Sequence, residues 1–161
     1  MNYYGQHPTI KLSRGYSYFL CGAFLFLGLN GFSSASKAEK ISVGNHEVDV
    51  TLAQTRQEQM KGLQGVSYLA EDHGMLFSFD PARKVCFWMK NTPIDLDVGF
   101  FNEKLELVQI EKMQANMLDL HCSKQPIRFA LEVNRDWFTH HRISLGEKLT
   151  LPKTSFSARL Q

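Results

Sequence analysis

The chain of 161 residues is 43% hydrophobic and 21% charged, the balance of a folded globular protein, and its length predicts one domain. Its formal charge is +2, which falls to 0 without Lys11 and Arg14, because the first 35 residues hold no Asp or Glu. A neutral chain without a basic run excludes an electrostatic case for nucleic-acid binding.

Residues 1–17 carry only Lys11 and Arg14 as full charges, and the apolar run YFLCGAFLFLGL follows from Tyr18 to Leu29. The polar, small-residue stretch NGFSSASKA comes next. This order predicts a secretory signal peptide over residues 1–35, cleaved after Ala35 or Ala38. A run of 12 apolar residues falls short of the roughly 20 that cross a bilayer, so cleavage is expected, with an N-terminal membrane anchor as the alternative. Cys21 lies inside the apolar run instead of just after it, which disfavours a lipoprotein. The expected location is the periplasm or the exterior, without membrane contact after cleavage.

Loss of the leader leaves Cys86 and Cys122. In an oxidising compartment such a pair can form a disulfide, and two buried thiols are the equal alternative. Neither sits in a C-x-x-C, so no thioredoxin-like redox site is expected.

From Lys40 the chain reads as short strands. KISV, a Gly44-Asn45 turn and HEVDVTLA predict an antiparallel hairpin with Val48, Val50 and Leu52 on one face. Thr55 with Glu58 three residues on is a capping box, which predicts a short helix with Met60 and Leu63 as its apolar edge, ended by Gly62 or Gly65. SYLAEDHG is turn-rich. GMLFSF follows as a strand with Met75, Phe77 and Phe79 on one face. KVCFWMKN, DLDVGFFN and KLELVQIEKM are three further strand candidates, the last two joined tightly at Asn102-Glu103-Lys104. FALEVN and EKLTL complete the strands, and RDWFTHHRI between them predicts one helical turn with Asp136 near its start. The tail, residues 153–161, is polar and expected to fray. The sum is an α+β domain over residues 40–152: a mostly antiparallel, curled sheet or partly closed barrel with one or two short helices.

Strand alternation in KVCFWMKN sets Cys86, Trp88 and Lys90 on one face and Val85, Phe87 and Met89 on the other. In IDLDVGF, Asp95 and Asp97 share a face. If these strands are neighbours joined at Asn91-Thr92-Pro93, Lys90 can meet an aspartate beside the Trp88 indole. That cluster could bind a polar ligand or shuttle a proton. It could equally be a structural pair, with Asn91 and Thr92 satisfying turn amides. Glu132 lies between Leu131 and Val133 in FALEV, so it should point away from their side and could join the cluster. His140 and His141 are adjacent, which prevents them from sharing a face. With His121 and Cys122 they lack metal-ligand spacing, so they are expected to be exposed histidines, with no metal and no cofactor. The G-x-S-x-G, P-loop, H-E-x-x-H and G-x-G-x-x-G motifs are absent.

Three blocks, TRQEQMKGLQG with EDHGMLFSF, FWMKNTPIDLDVGF, and FALEVNRDWF with ISLGE, resemble the domain of unknown function 192 family, also called the UPF0127 proteins, from about Val43 to Leu151. The resemblance implies a small, mostly β, often exported protein and no particular activity. It also marks departures. Gln64 and Val66 stand where that pattern continues Gly62-Leu63 with Met and then Arg. Asp95 replaces a proline, and Asp136 stands where glycine is common. The leading functional expectation is an exported accessory or binding domain that recognises a small polar ligand or an envelope protein through Trp88, Lys90, Asn91, Asp97 and Glu132. The alternatives are a hydrolase or transferase using Asp97 or Glu132 as base with Lys90 as electrostatic stabiliser, and a purely structural interaction module.

Overall fold

A computed structural model describes residues 38–152. The predicted signal peptide and the tail lie outside the described residues. The elements are β1 (Glu39–Val43), β2 (His46–Ala53), α1 (Arg56–Lys61), β3 (His73–Arg83), β4 (Cys86–Phe87), β5 (Leu96–Phe101), β6 (Leu107–Met113), β7 (His121–Cys122), β8 (Ile127–Asn134), α2 (Trp137–His140) and β9 (Leu149–Thr150).

The first two strands form the expected hairpin, Ile41 opposite Val48, turned at Gly44 with φ 57°. At α1 both halves of the capping box are made: Glu58 N–H donates to Thr55 Oγ1 at 3.2 Å, and Thr55 N–H donates to Glu58 Oε2 at 2.8 Å. Those two bonds, with the Gln54 amide at 2.9 Å, hold the Glu58 carboxyl below its usual range. Gly62 ends the helix at φ 50°. Met60 does not form the expected apolar edge. None of the six helical residues is buried: Met60 is 68% exposed, and the buried apolar residue is Leu63, just past the Gly62 end of the helix.

Seven strands form one curled half-barrel sheet in the order β6-β5-β8-β3-β2-β1-β9. All of its neighbours are antiparallel except β2 and β3, which run parallel because α1 carries the chain back between them. β3 extends to Arg83, beyond the GMLFSF stretch that its alternation marked. The KVCFWMKN segment departs most from expectation. Only Cys86 and Phe87 are extended, and they pair with β7, not with β5, as a separate two-stranded ribbon. The chain turns away at once, with Asn91 left-handed at φ 58° and Thr92 N–H donating to the Met89 carbonyl at 3.0 Å. Pro93 follows, with no N–H for a ladder.

The sheet is covered on both faces. Leu76, Leu131, Val133, Trp137 and Phe138 belong to one core cluster, and Phe77, Phe79, Phe87, Val98 and Ala130 to the other. All of Leu96–Phe101 is buried, so β5 does not show the polar and apolar sides that IDLDVGF suggested. Gly74 on β3 is required by close packing: a Cβ there would lie 2.4 Å from the Glu132 carbonyl oxygen and 3.0 Å from Val133 Cγ1. Backbone on a central strand cannot step aside cheaply. Gly74→Ala is therefore expected to lower stability by about 1–3 kcal/mol in urea denaturation. An unchanged midpoint would show that β3 and β8 are less tightly apposed.

Candidate functional site

Asp97 and Glu132 sit on adjacent strands but face opposite sides of the sheet. Asp97 shares its pairing position with Val133, and Glu132 pairs with Val98 and Met75. One carboxylate therefore meets the Trp137 side of the fold and the other meets the Phe77 side, so they cannot form one site.

Asp97 serves the entry to α2. It is fully buried, and its Oδ2 accepts the Asp136 N–H at 3.0 Å, while Arg135 Nε stands 3.9 Å from Oδ1. Burial pushes its carboxyl above the usual range, with a further rise from the Asp136 charge, offset by Lys112 and Arg135. Lys112, the residue opposite Asp97 on β6, pairs with Asp136. Asp136 itself has φ 64°, which accounts for glycine at this position in the family pattern. Asp95, in place of proline, accepts the Ala115 N–H at 2.7 Å and so fastens the loop after β6.

Lys90 is not the partner of either carboxylate. It is exposed, with Nζ 5.3 Å from the centroid of the Trp88 ring, which is 46% exposed. Asn91 acts through its backbone: its carbonyl accepts the Gly65 N–H at 2.8 Å and ties the loop after α1 to the loop after β4. Cys86 and Cys122 face each other in the β4–β7 ribbon and are joined by a disulfide, with Cα atoms 4.0 Å apart. The histidines are not all exposed. His141 is tucked against Trp137, with Nδ1 donating to the Trp137 carbonyl at 2.9 Å and Nε2 3.4 Å from Asp72. Among the described residues no cluster of His, Cys, Asp or Glu could hold a metal ion.

The structure gathers a different set of residues. A cleft of about 430 Å³ opens between α1 and the Arg83–Trp88 segment, a volume suited to a small molecule. Its inner walls are Leu63, Phe77, Phe79, Val85 and Phe87, and Trp88 stands at its edge. Glu132 reaches it from β8, 4% exposed, with no hydrogen-bond partner for Oε2 among the described residues. That oxygen lies 3.9 Å from where a Cβ on Gly62 would be, so the missing side chain at the end of α1 keeps the space above the carboxyl open. Burial alone pushes the Glu132 carboxyl up to about 8, which leaves it mostly protonated at neutral pH. Arg56, Lys61, Arg83 and Lys84 are also part of the lining.

Of the five residues expected to bind a ligand, Trp88 and Glu132 line this cleft and Lys90, Asn91 and Asp97 do not; the disulfide-bonded Cys86 lines it too. In the sequence Phe77 and Phe79 are marked only as one face of a strand, and nothing singles out Arg83 or Lys84. The signal that could have found the site is the lone carboxylate in the otherwise apolar FALEV, which is costly unless it is paired or neutral.

The DUF192 family model, described as uncharacterised ACR, matches residues 39–151. Among solved structures, the chain is similar to a candidate transcription regulator from Sinorhizobium meliloti at 29% identity and a TM-score of 0.69, over 72% of this chain and 95% of that one. It is also similar to a protein of unknown function from Novosphingobium aromaticivorans at 27% identity and a TM-score of 0.70, over 73% of this chain and 87% of that one. No curated protein matches the chain.

Proposed function

The chain belongs to the DUF192 family, and we propose that it works as an exported accessory domain that binds a small molecule in the cleft between α1 and the Arg83–Trp88 segment. One observation carries this reading: a fully desolvated carboxyl, unpartnered at Oε2, at the inner end of an open cleft. A leucine or phenylalanine there would fill space without the cost of burying an acid, so the carboxyl is retained against stability. A protonated acid offers one O–H donor and one carbonyl acceptor, enough to orient a ligand among aromatic walls. The disulfide supports export, since such bonds persist in oxidising compartments, and so does the leader-like order of residues 1–35. Catalysis has less support. Neither Lys90 nor Asp97 lines the cleft, and among the described residues no second titratable group is paired with Glu132 to divide the roles of acid and base.

The test is a screen of small neutral and charged organic fragments by amide and indole NMR on residues 36–161. Hits are expected to shift Leu63, Val85 and the Trp88 indole together, and to leave the Trp137 indole on the other face of the sheet unmoved. If every fragment leaves those three signals in place, or moves only residues around Lys90, the cleft is not a binding site.

A further inference from the structure

The cleft is electrostatically one-sided. Arg56, Lys61, Arg83 and Lys84 line it, and among the described residues its one acidic residue is Glu132. None of the four cations forms an ion pair among the described residues, because the ion pairs there involve Lys40, Lys112, Arg128, Arg135, His141 and Lys148. Arg83 is held in place by other means: its guanidinium lies 5.0 Å from the Phe79 ring centroid and donates to Gln59 Oε1 at 3.4 Å. Gln59 is fixed in turn, its Nε2 donating to the Ser78 carbonyl at 2.7 Å. One cation is thus pre-positioned at the mouth, directly above an aromatic wall.

Resting on the cleft being a binding site, we propose that it selects small organic anions, with an apolar chain or ring against Phe77, Phe79 and Phe87 and a carboxylate facing Arg56, Arg83 and Lys84. Opposed potentials raise the encounter rate and local concentration of such a ligand, and like charge repels an organic cation. The acid at the inner end fits the same ligand. While neutral it does not repel an anion, and it adds no charge to the apolar part of the cleft. An amine would have to ionise that buried acid and pass four cations to reach it.

Matched probes test this by NMR titration of residues 36–161 at low salt: octanoate, octylammonium and neutral octanol, with 3-phenylpropanoate as the aromatic carboxylate. Both carboxylates should shift Leu63, Val85 and the Trp88 indole at concentrations at least ten-fold below octylammonium. A preference for octanoate over 3-phenylpropanoate would assign lipid-derived chains, and the reverse would assign aromatic acids. In the Arg56→Glu, Lys84→Glu variant, which alters two exposed residues without ion pairs, the advantage of the carboxylates should vanish while octanol binding persists. Octylammonium binding as well as octanoate, or octanol binding where neither carboxylate does, overturns the charge selection and leaves the cleft as a site. No shift with any of the four probes removes the binding site itself.

Discussion

Glu132→Gln is expected to stabilise the protein at pH 7 by about 3 kcal/mol, an unusual gain for a change at a buried polar residue. The sign follows from the two states. In the fold the carboxyl ionises at about 8, against an ordinary 4.5 in the unfolded chain. Below 4.5 both states carry the proton, and the folded protein has its full stability. Between 4.5 and 8 the unfolded chain releases a proton that the folded chain keeps, so stability falls by about 1.4 kcal/mol per pH unit. Glutamine has the same shape and no charge to lose. The variant should therefore match the wild type near pH 4 and exceed it increasingly up to pH 8, with a melting temperature higher by roughly 10 °C at neutral pH. Asp97 is also raised and contributes a slope of the same sign, but it is common to both proteins and cancels in the difference. Parallel pH profiles for the two proteins would mean that Glu132 is ionised and compensated in the fold. The neutral acid assigned to the cleft would then be wrong.

Loss of the Cys86–Cys122 disulfide is expected to cost about 3–4 kcal/mol, on the chain-entropy argument for two residues 36 apart in sequence. Guanidinium unfolding of the Cys86→Ser, Cys122→Ser variant measures it. Both cysteines are exposed, so the serines leave no cavity, and the loss reports the cross-link itself. The effect should be local as well as global. The β4–β7 ribbon is only two pairs long, and beyond it the Met89 N–H donates to the Met117 carbonyl at 3.1 Å and the Asn116 N–H to the Thr92 carbonyl at 3.0 Å. Without the cross-link those amides should lose hydrogen-exchange protection before the amides of β3 and β8 do. Because β4 walls the cleft, ligand affinity should fall with them. Equal unfolding midpoints and unchanged protection would show that the cross-link closes a loop already held by its own hydrogen bonds.

Two residues of the cleft, Trp88 and Glu132, were legible in the sequence, but the cleft itself was not. The alternation in Val85–Lys90 is borne out: Phe87 and Met89 are buried, while Cys86, Trp88 and Lys90 are exposed. The partner assigned to that segment is not. A period of two tells which neighbours share a side of one strand, but not which other strand lies beside it. KVCFWMKN and IDLDVGF are close in sequence and look like a hairpin. Met89, Asn91 and Pro93 instead turn the chain so that Cys86 and Phe87 meet His121 and Cys122. Asp97 and Glu132 share the same difficulty. Each strand's alternation is clear, yet the relative phase of two strands is set by their pairing register, and that register puts the two carboxyls on opposite faces.

What the sequence determined by itself is local: the β1–β2 hairpin at Gly44-Asn45, the capping box that starts α1, the one-turn helix before His141, and the mostly β composition with the family blocks that mark it. These depend on interactions between residues within a few positions of one another, so composition and spacing suffice. Only the tertiary structure decided that β2 and β3 run parallel, that the cysteines meet, and that Glu132 looks into a cleft between α1 and Arg83–Trp88 instead of toward Lys90 and Asp97. Each of those rests on segments brought together over tens of residues. Burial and register there follow from filling both faces of one curled sheet, a constraint that no window of the sequence contains.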